Sequence, residues 1–175
     1  MKWKKLYKES LGSNQKESPY IDIPKFREEI KDILKADVDE LEYDENEPDE
    51  LYLKYMKDAA PDFIDDYVDG IVEDTIKSFD KLVHRSNTSM VGNFADIRYD
   101  WDGYHKEYPH GVSFNEVIEM IDNGEDNEKT REFKTWTIDW YFNAFGTYNL
   151  KYNWNEFLEE IAADQMYQDE RDRED

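Results

Sequence analysis

Between Pro61 and Val83 apolar side chains return every three or four residues: Phe63, Ile64, Tyr67, Val68, Ile71, Val72, Ile76, Phe79 and Leu82. That spacing matches the 3.6-residue turn of an α-helix and gathers all nine onto one stripe, which other apolar elements must cover. Proline lacks an N–H and suits the first position of a helix, so Pro61 is expected to open this one. Pro48 is expected to open a shorter helix carrying Leu51, Tyr52, Tyr55 and Met56. Pro24, behind Asp22, opens another over about 23–35, with Phe26, Ile30, Ile33 and Leu34 at helical spacing.

After Arg85 the period changes. Ile97, Tyr99 and Trp101 alternate with polar residues up to Asp102-Gly103, a turn dipeptide, and Tyr104 and Tyr108 stand ready to pair back, so a small β-hairpin is expected over about 94–108. Ser113 and Glu116 have the spacing of a capping box before Val117, Ile118 and Ile121, and Gly124 supplies a stop. Over 128–145, Phe133, Trp136, Trp140 and Ala144 form one stripe beside Ile138, Tyr141, Phe142 and Phe145, with Gly146 behind. A segment apolar nearly all round belongs at a core or an interface. Asn153 is expected to cap a last helix that turns Phe157, Leu158, Ile161 and Ala162 inward, before a frayed acidic tail over 168–175. The expected fold is mainly α (α+β): a single helical domain over 1–175 with a small β-hairpin and acidic helix faces. No internal repeat is present.

The charge pattern bounds the function. The chain has 44 acidic and 22 basic residues and a formal charge of -22, well beyond the magnitude of about 2 to 8 that solubility asks of a small domain. Residues 1–35 hold nine bases against six acids, so the first segment, 1–22 with its neighbours, is basic and the excess of carboxylates lies after Lys35. High charge with few apolar residues would indicate disorder, but five Trp, 13 Tyr and nine Phe provide a core. The absence of cysteine excludes disulfides, thiolate metal sites and cysteine nucleophiles. The basic start is followed by polar residues 8–18 rather than an apolar stretch, and no run approaches the roughly 18 apolar residues of a membrane span, so a cytoplasmic location is expected. The sequon Asn87-Thr88-Ser89 carries little weight without an export signal.

Three segments concentrate the acids: nine in a loop over 37–50, seven over 58–74 and nine over 156–175. On the long helix Asp62, Asp65, Asp66, Asp69, Glu73 and Asp74 lie three and four residues apart, forming exposed rows that repel one another until something positive arrives. One such row carries fewer charges per length than duplex DNA. Glu45, Glu47 and Asp49 in the loop and Glu156, Glu159 and Glu160 in the last helix are the candidates to complete it. For one helix alone, a merely solvated acidic face is the commoner explanation; three nearly base-free segments tip the balance toward binding.

Other chemistries are poorly supported. Asp100-Trp101-Asp102-Gly103 has the look of a calcium loop, but Arg98 and Pro109 would fill positions that need carboxylates. His105 and His110 lack an established metal-ligand spacing and read as surface loop histidines. Among 44 acids, carboxylate pairs carry no information about catalysis, and no Walker loop, dinucleotide fingerprint, serine elbow or H-E-x-x-H motif occurs. Neither a cofactor nor a metal nor an enzymatic activity is expected. Trp101, Trp136, Trp140 and Trp154 with Tyr104, Tyr141, Tyr148 and Tyr152 are of the types that stack on bases, yet the charge opposes a nucleic-acid partner and favours a core or a protein interface; the aromatic 128–145 segment leaves a homodimer open.

The ending Phe157-Leu-Glu-Glu-Ile-Ala-Ala-Asp-Gln-Met-Tyr-Gln-Asp-Glu170 resembles the acidic C-terminal helix and tail of Ocr-like anti-restriction proteins. The whole, acidic, cysteine-free and aromatic-rich, resembles in class the DNA-mimic anti-defence proteins of phages and mobile elements, acidic anti-CRISPR proteins among them. It differs in length, in its basic N-terminal 35 residues and in the expected hairpin, and it lacks the motifs of the larger ArdA anti-restriction family. The resemblance implies an inhibitor that fills the basic nucleic-acid groove of a defence nuclease, of a restriction-modification or CRISPR-Cas system. An immunity protein or antitoxin, binding one basic toxin through aromatics with an acidic surround, is the alternative.

Overall fold

A computed structural model describes residues 18–42, 46–47, 50–84, 97–107 and 111–174. Among the described residues there are six helices: α1 (Ile23–Asp39), α2 (Leu51–Val83), α3 (Ile97–Glu107), α4 (Phe114–Asp122), α5 (Glu128–Phe145) and α6 (Thr147–Glu174). Among the described residues there is no strand, so the class is mainly α and the expected hairpin over 94–108 is corrected to helix α3. Side-chain burial shows why. Ile97 and Trp101, four apart, are 2% and 0% exposed, whereas Tyr99 between them is 76% exposed; a strand would have put all three on one face. Asp102, expected in a turn, sits within α3 and its Oδ1 accepts from the Phe114 backbone N–H at 2.9 Å, ahead of α4.

Two helix starts also move. Pro61 lies inside α2, which runs unbroken for 33 residues from Leu51. An interior proline forfeits one hydrogen bond and crowds the preceding turn, but Met56, Ala59 and Ala60 on one side of it and Phe63 and Ile64 on the other are all buried, so packing across the site holds the helix together. Asn153 is likewise interior, because α6 begins at Thr147, where Leu150 and Trp154 are already buried. Residues 168–174, expected as a frayed tail, form the last turns of α6, with Arg171 and Arg173 at the end that favours positive charge. At other ends the local signals act as read: the Asp22 Oδ1 accepts from Lys25 N–H ahead of α1, Ser113 Oγ accepts from Glu116 N–H, and Gly124 takes a positive φ of 78° after α4. An Asn127–Thr130 capping box that was not singled out opens α5.

The described residues divide into two compact units, 27–71 with 147–174 and 18–26 with 72–146. In the first, ion pairs Arg27–Asp69 and Lys31–Asp65 run in opposite order along α1 and α2, which makes those helices antiparallel. Phe63 against Phe157 and Tyr67 against Trp154 make α2 and α6 antiparallel too, and Asn155 Nδ2 donates to Asp37 at 2.9 Å between α6 and α1. Ile30, Leu34, Phe63, Tyr67, Trp154 and Leu158 form the core of this three-helix layer. In the second unit, Trp101 meets Phe133 edge-on at 5.1 Å, Phe79 meets Trp140 at 5.8 Å, and the Trp140 indole N–H donates to Asp100 at 2.7 Å.

Candidate acidic interface

The expected acidic row is present on α2 but is not uniformly free. In the first unit Asp62 and Asp65 are exposed and Asp66 and Asp69 half-buried. Lys31 Nζ stands 2.8 Å from Asp65, and Arg27 Nε stands 2.8 Å from Asp69. Two bases four apart on α1 thus meet two acids four apart on α2. Burial pushes the Asp69 carboxyl above the usual carboxylate range, the nearby Asp66 and Asp65 push the same way, and Arg27 opposes them. In the second unit Glu73 is largely covered and paired with Lys77 at 3.5 Å, while Asp74 is exposed. Of the six candidate carboxylates on α2, Asp65, Asp69 and Glu73 therefore already have a cation of this chain beside them.

The structure gives α6 the larger share of open charge. Glu156, Glu159 and Glu160 are exposed, as is Asp164, and across Thr147–Glu174 the sequence has eight acids and three bases, Lys151, Arg171 and Arg173. The alternation of Phe157, Leu158, Ile161 and Ala162 with these acids turns the apolar face onto α2 and the carboxylates outward. Near its far end Asp169 accepts a hydrogen bond from the Tyr55 hydroxyl of α2. A helix of 28 residues is about 42 Å long, a length over which one strand of a duplex carries about twelve phosphates. Eight carboxylates less three bases leave a net charge of -5 on that length, under half the charge of a single strand. Glu47 is exposed; Glu45 and Asp49 lie outside the described residues, as do His110, the Asn87 sequon and the basic segment 1–17.

Three features escaped the sequence reading. The Arg27/Lys31 and Asp65/Asp69 spacings are complementary and could have been matched as an antiparallel pair. Tyr148 and Tyr152, weighed as core or interface, form an exposed pair with rings 6.2 Å apart and 22° from parallel. The third is in the second unit: the buried Tyr20 hydroxyl donates to Asp122 Oδ1 at 2.5 Å and lies 2.9 Å from His84 Nε2, while His84 Nδ1 lies 2.9 Å from the Asp80 carbonyl. A carbonyl only accepts, so Nδ1 carries a proton. With the tyrosine proton given to Asp122, the protonated imidazole suits this place, Nε2 donating to the Tyr20 oxygen. Its ionisation is accordingly raised, by the Asp80 carbonyl first and by Asp122 also, against the opposing effect of burial.

Among the described residues no group of three or more His, Asp or Glu side chains is placed to hold a metal ion, and no helix is long and apolar enough to cross a membrane. One apolar groove, about 180 Å³, lies between α1 and α2 in the first unit, lined by Lys35, Val38, Asp39, Lys57, Ala60, Pro61 and Ile64. Compared with protein-family models, curated proteins and solved structures, the chain matches none.

Proposed function

We propose that this protein is a DNA-mimic inhibitor, whose carboxylates occupy the Lys/Arg-lined groove of a nucleic-acid-binding protein of a defence system, a restriction-modification or CRISPR-Cas nuclease, and keep DNA out. It acts by binding and not by catalysis, in the cytoplasm of the cell where that nuclease works. The observation that carries the reading is the outward face of α6, with Glu156, Glu159, Glu160 and Asp164 exposed on a helix of eight acids and three bases. Asp62 and Asp74 add open charge on α2, in separate units. Such a surface associates quickly and in a salt-dependent way with a basic cleft, since long-range attraction steers the encounter.

The test is a tagged pull-down from nuclease-treated bacterial lysate at low salt, eluted by a salt step and then challenged with duplex DNA. Recovery of a nucleic-acid enzyme that DNA displaces supports the reading; a partner indifferent to DNA contradicts it. A second reading, an immunity protein or antitoxin against a basic toxin, is favoured by one observation, the exposed Tyr148–Tyr152 pair on the same helix as the open acids. Such a protein would concentrate its binding energy in a few residues, whereas a mimic spreads it over many charges.

A further inference from the structure

Six large apolar or aromatic side chains are exposed among the described residues, and three of them, Tyr148, Tyr152 and Tyr167, belong to α6. Tyr148 and Tyr152 are 74% and 50% exposed and four residues apart, so they share one side of the helix with Glu156, the next residue on that stripe. Their rings are nearly parallel, and the Tyr152 hydroxyl is hydrogen-bonded to Glu156. Two adjoining ring faces with a carboxylate at one end have the chemistry that recognises a planar cation: the ring quadrupole attracts positive charge and the carboxylate accepts its N–H groups.

Resting on the reading of a basic protein partner, we propose that the Tyr148–Tyr152 pair, with Glu156, is the anchor of the interface and takes an arginine side chain of that partner. Charge complementarity selects the occupant. A nucleic acid or an anionic membrane would have to approach a helix of eight acids and three bases in a chain of net charge -22, and a second copy of this chain carries the same charge. Arginine is preferred to lysine because its guanidinium is flat, weakly hydrated and able to stack on a ring while bridging a carboxylate, whereas an ammonium, though also drawn to a ring face, is strongly hydrated and cannot lie flat on it. Tyrosine is also among the residues enriched in protein interfaces, and a pair contributing a few-fold is compatible with binding energy spread over many charges.

The probes are two basic peptides of equal length, nona-arginine and nona-lysine, titrated into the full chain at low salt. Affinity is measured by calorimetry, and the ring signals of Tyr148 and Tyr152 are followed by NMR. The wild-type chain is expected to bind the arginine peptide about three- to fivefold more tightly than the lysine peptide, the size of an exposed cation–π preference, with both ring signals moving. The preference should vanish in Y148A/Y152A and persist in Y148F/Y152F; circular dichroism checks that each variant keeps its helices. A preference of the same size in Y148A/Y152A overturns the proposal, as do ring signals that move with protein concentration alone or with oligothymidylate. Equal, salt-dependent binding of both peptides by the wild type overturns the anchor and leaves the basic-partner reading standing; no binding of either peptide overturns both.

Discussion

Arg27 and Asp69 show how a protein with this excess of carboxylate still assembles its acidic helices against one another. Asp69 is half-buried and its carboxyl resists ionisation because of that burial, with Arg27 opposing it at 2.8 Å. Arg27→Gln leaves the carboxylate unmatched and is expected to cost about 1 kcal/mol, the upper range for a partly exposed pair. Asp69→Asn removes the charge that burial disfavours and should cost less, and urea denaturation of the two variants checks the order. His84 gives a pH signature. Its ionisation is raised in the folded state by the Asp80 carbonyl and Asp122, so its contribution to stability is complete below the unfolded histidine value of about 6.5 and is lost as pH rises through the higher folded value. Urea midpoints should therefore fall as pH rises above the unfolded histidine value of about 6.5, and His84→Gln should flatten that fall.

Helices whose ends and faces use separate residues were legible in the sequence; those whose signals conflict were not. Asp22 and Pro24, Ser113, Gly124 and Gly146 mark ends where the chain does turn; the stripe of 61–83 is buried on α2 except at half-buried Ile71, and of the 128–145 stripes Phe133, Ile138, Trp140 and Tyr141 are buried while Trp136, Phe142, Ala144 and Phe145 are half-buried. The region 97–107 misled because Ile97, Tyr99 and Trp101 satisfy a period of two and Ile97 with Trp101 satisfies a period of four, and only the exposure of Tyr99 decides between them. Pro61 misled because proline at a first position and proline tolerated within a packed helix have the same local sequence. The difference is measurable. Pro61→Ala restores an N–H to a continuous helix and is expected to raise stability by about 1–3 kcal/mol, whereas at a helix start the change would be close to neutral; thermal unfolding separates the two. The acid rows were legible as composition and spacing, but their neutralisation by Arg27, Lys31 and Lys77 depends on tertiary pairing. That pairing shifts the weight of the candidate surface from α2 to α6.

For the molecule as a whole, a net charge of -22 destabilises the compact state by self-repulsion, which the cation-lined groove of the proposed partner would relieve. On the proposed function, binding draws on many open carboxylates at once. This is tested most directly by measuring the affinity of the captured partner against salt concentration for the wild type, for Glu156→Gln, Glu159→Gln and Glu160→Gln singly, and for the triple variant. Each single change is expected to weaken binding by a few-fold, about 0.5–1 kcal/mol each, with the triple loss near their sum and the salt dependence shallower with each charge removed. Near-complete loss from one substitution, with the other two silent and the salt dependence unchanged, would contradict it.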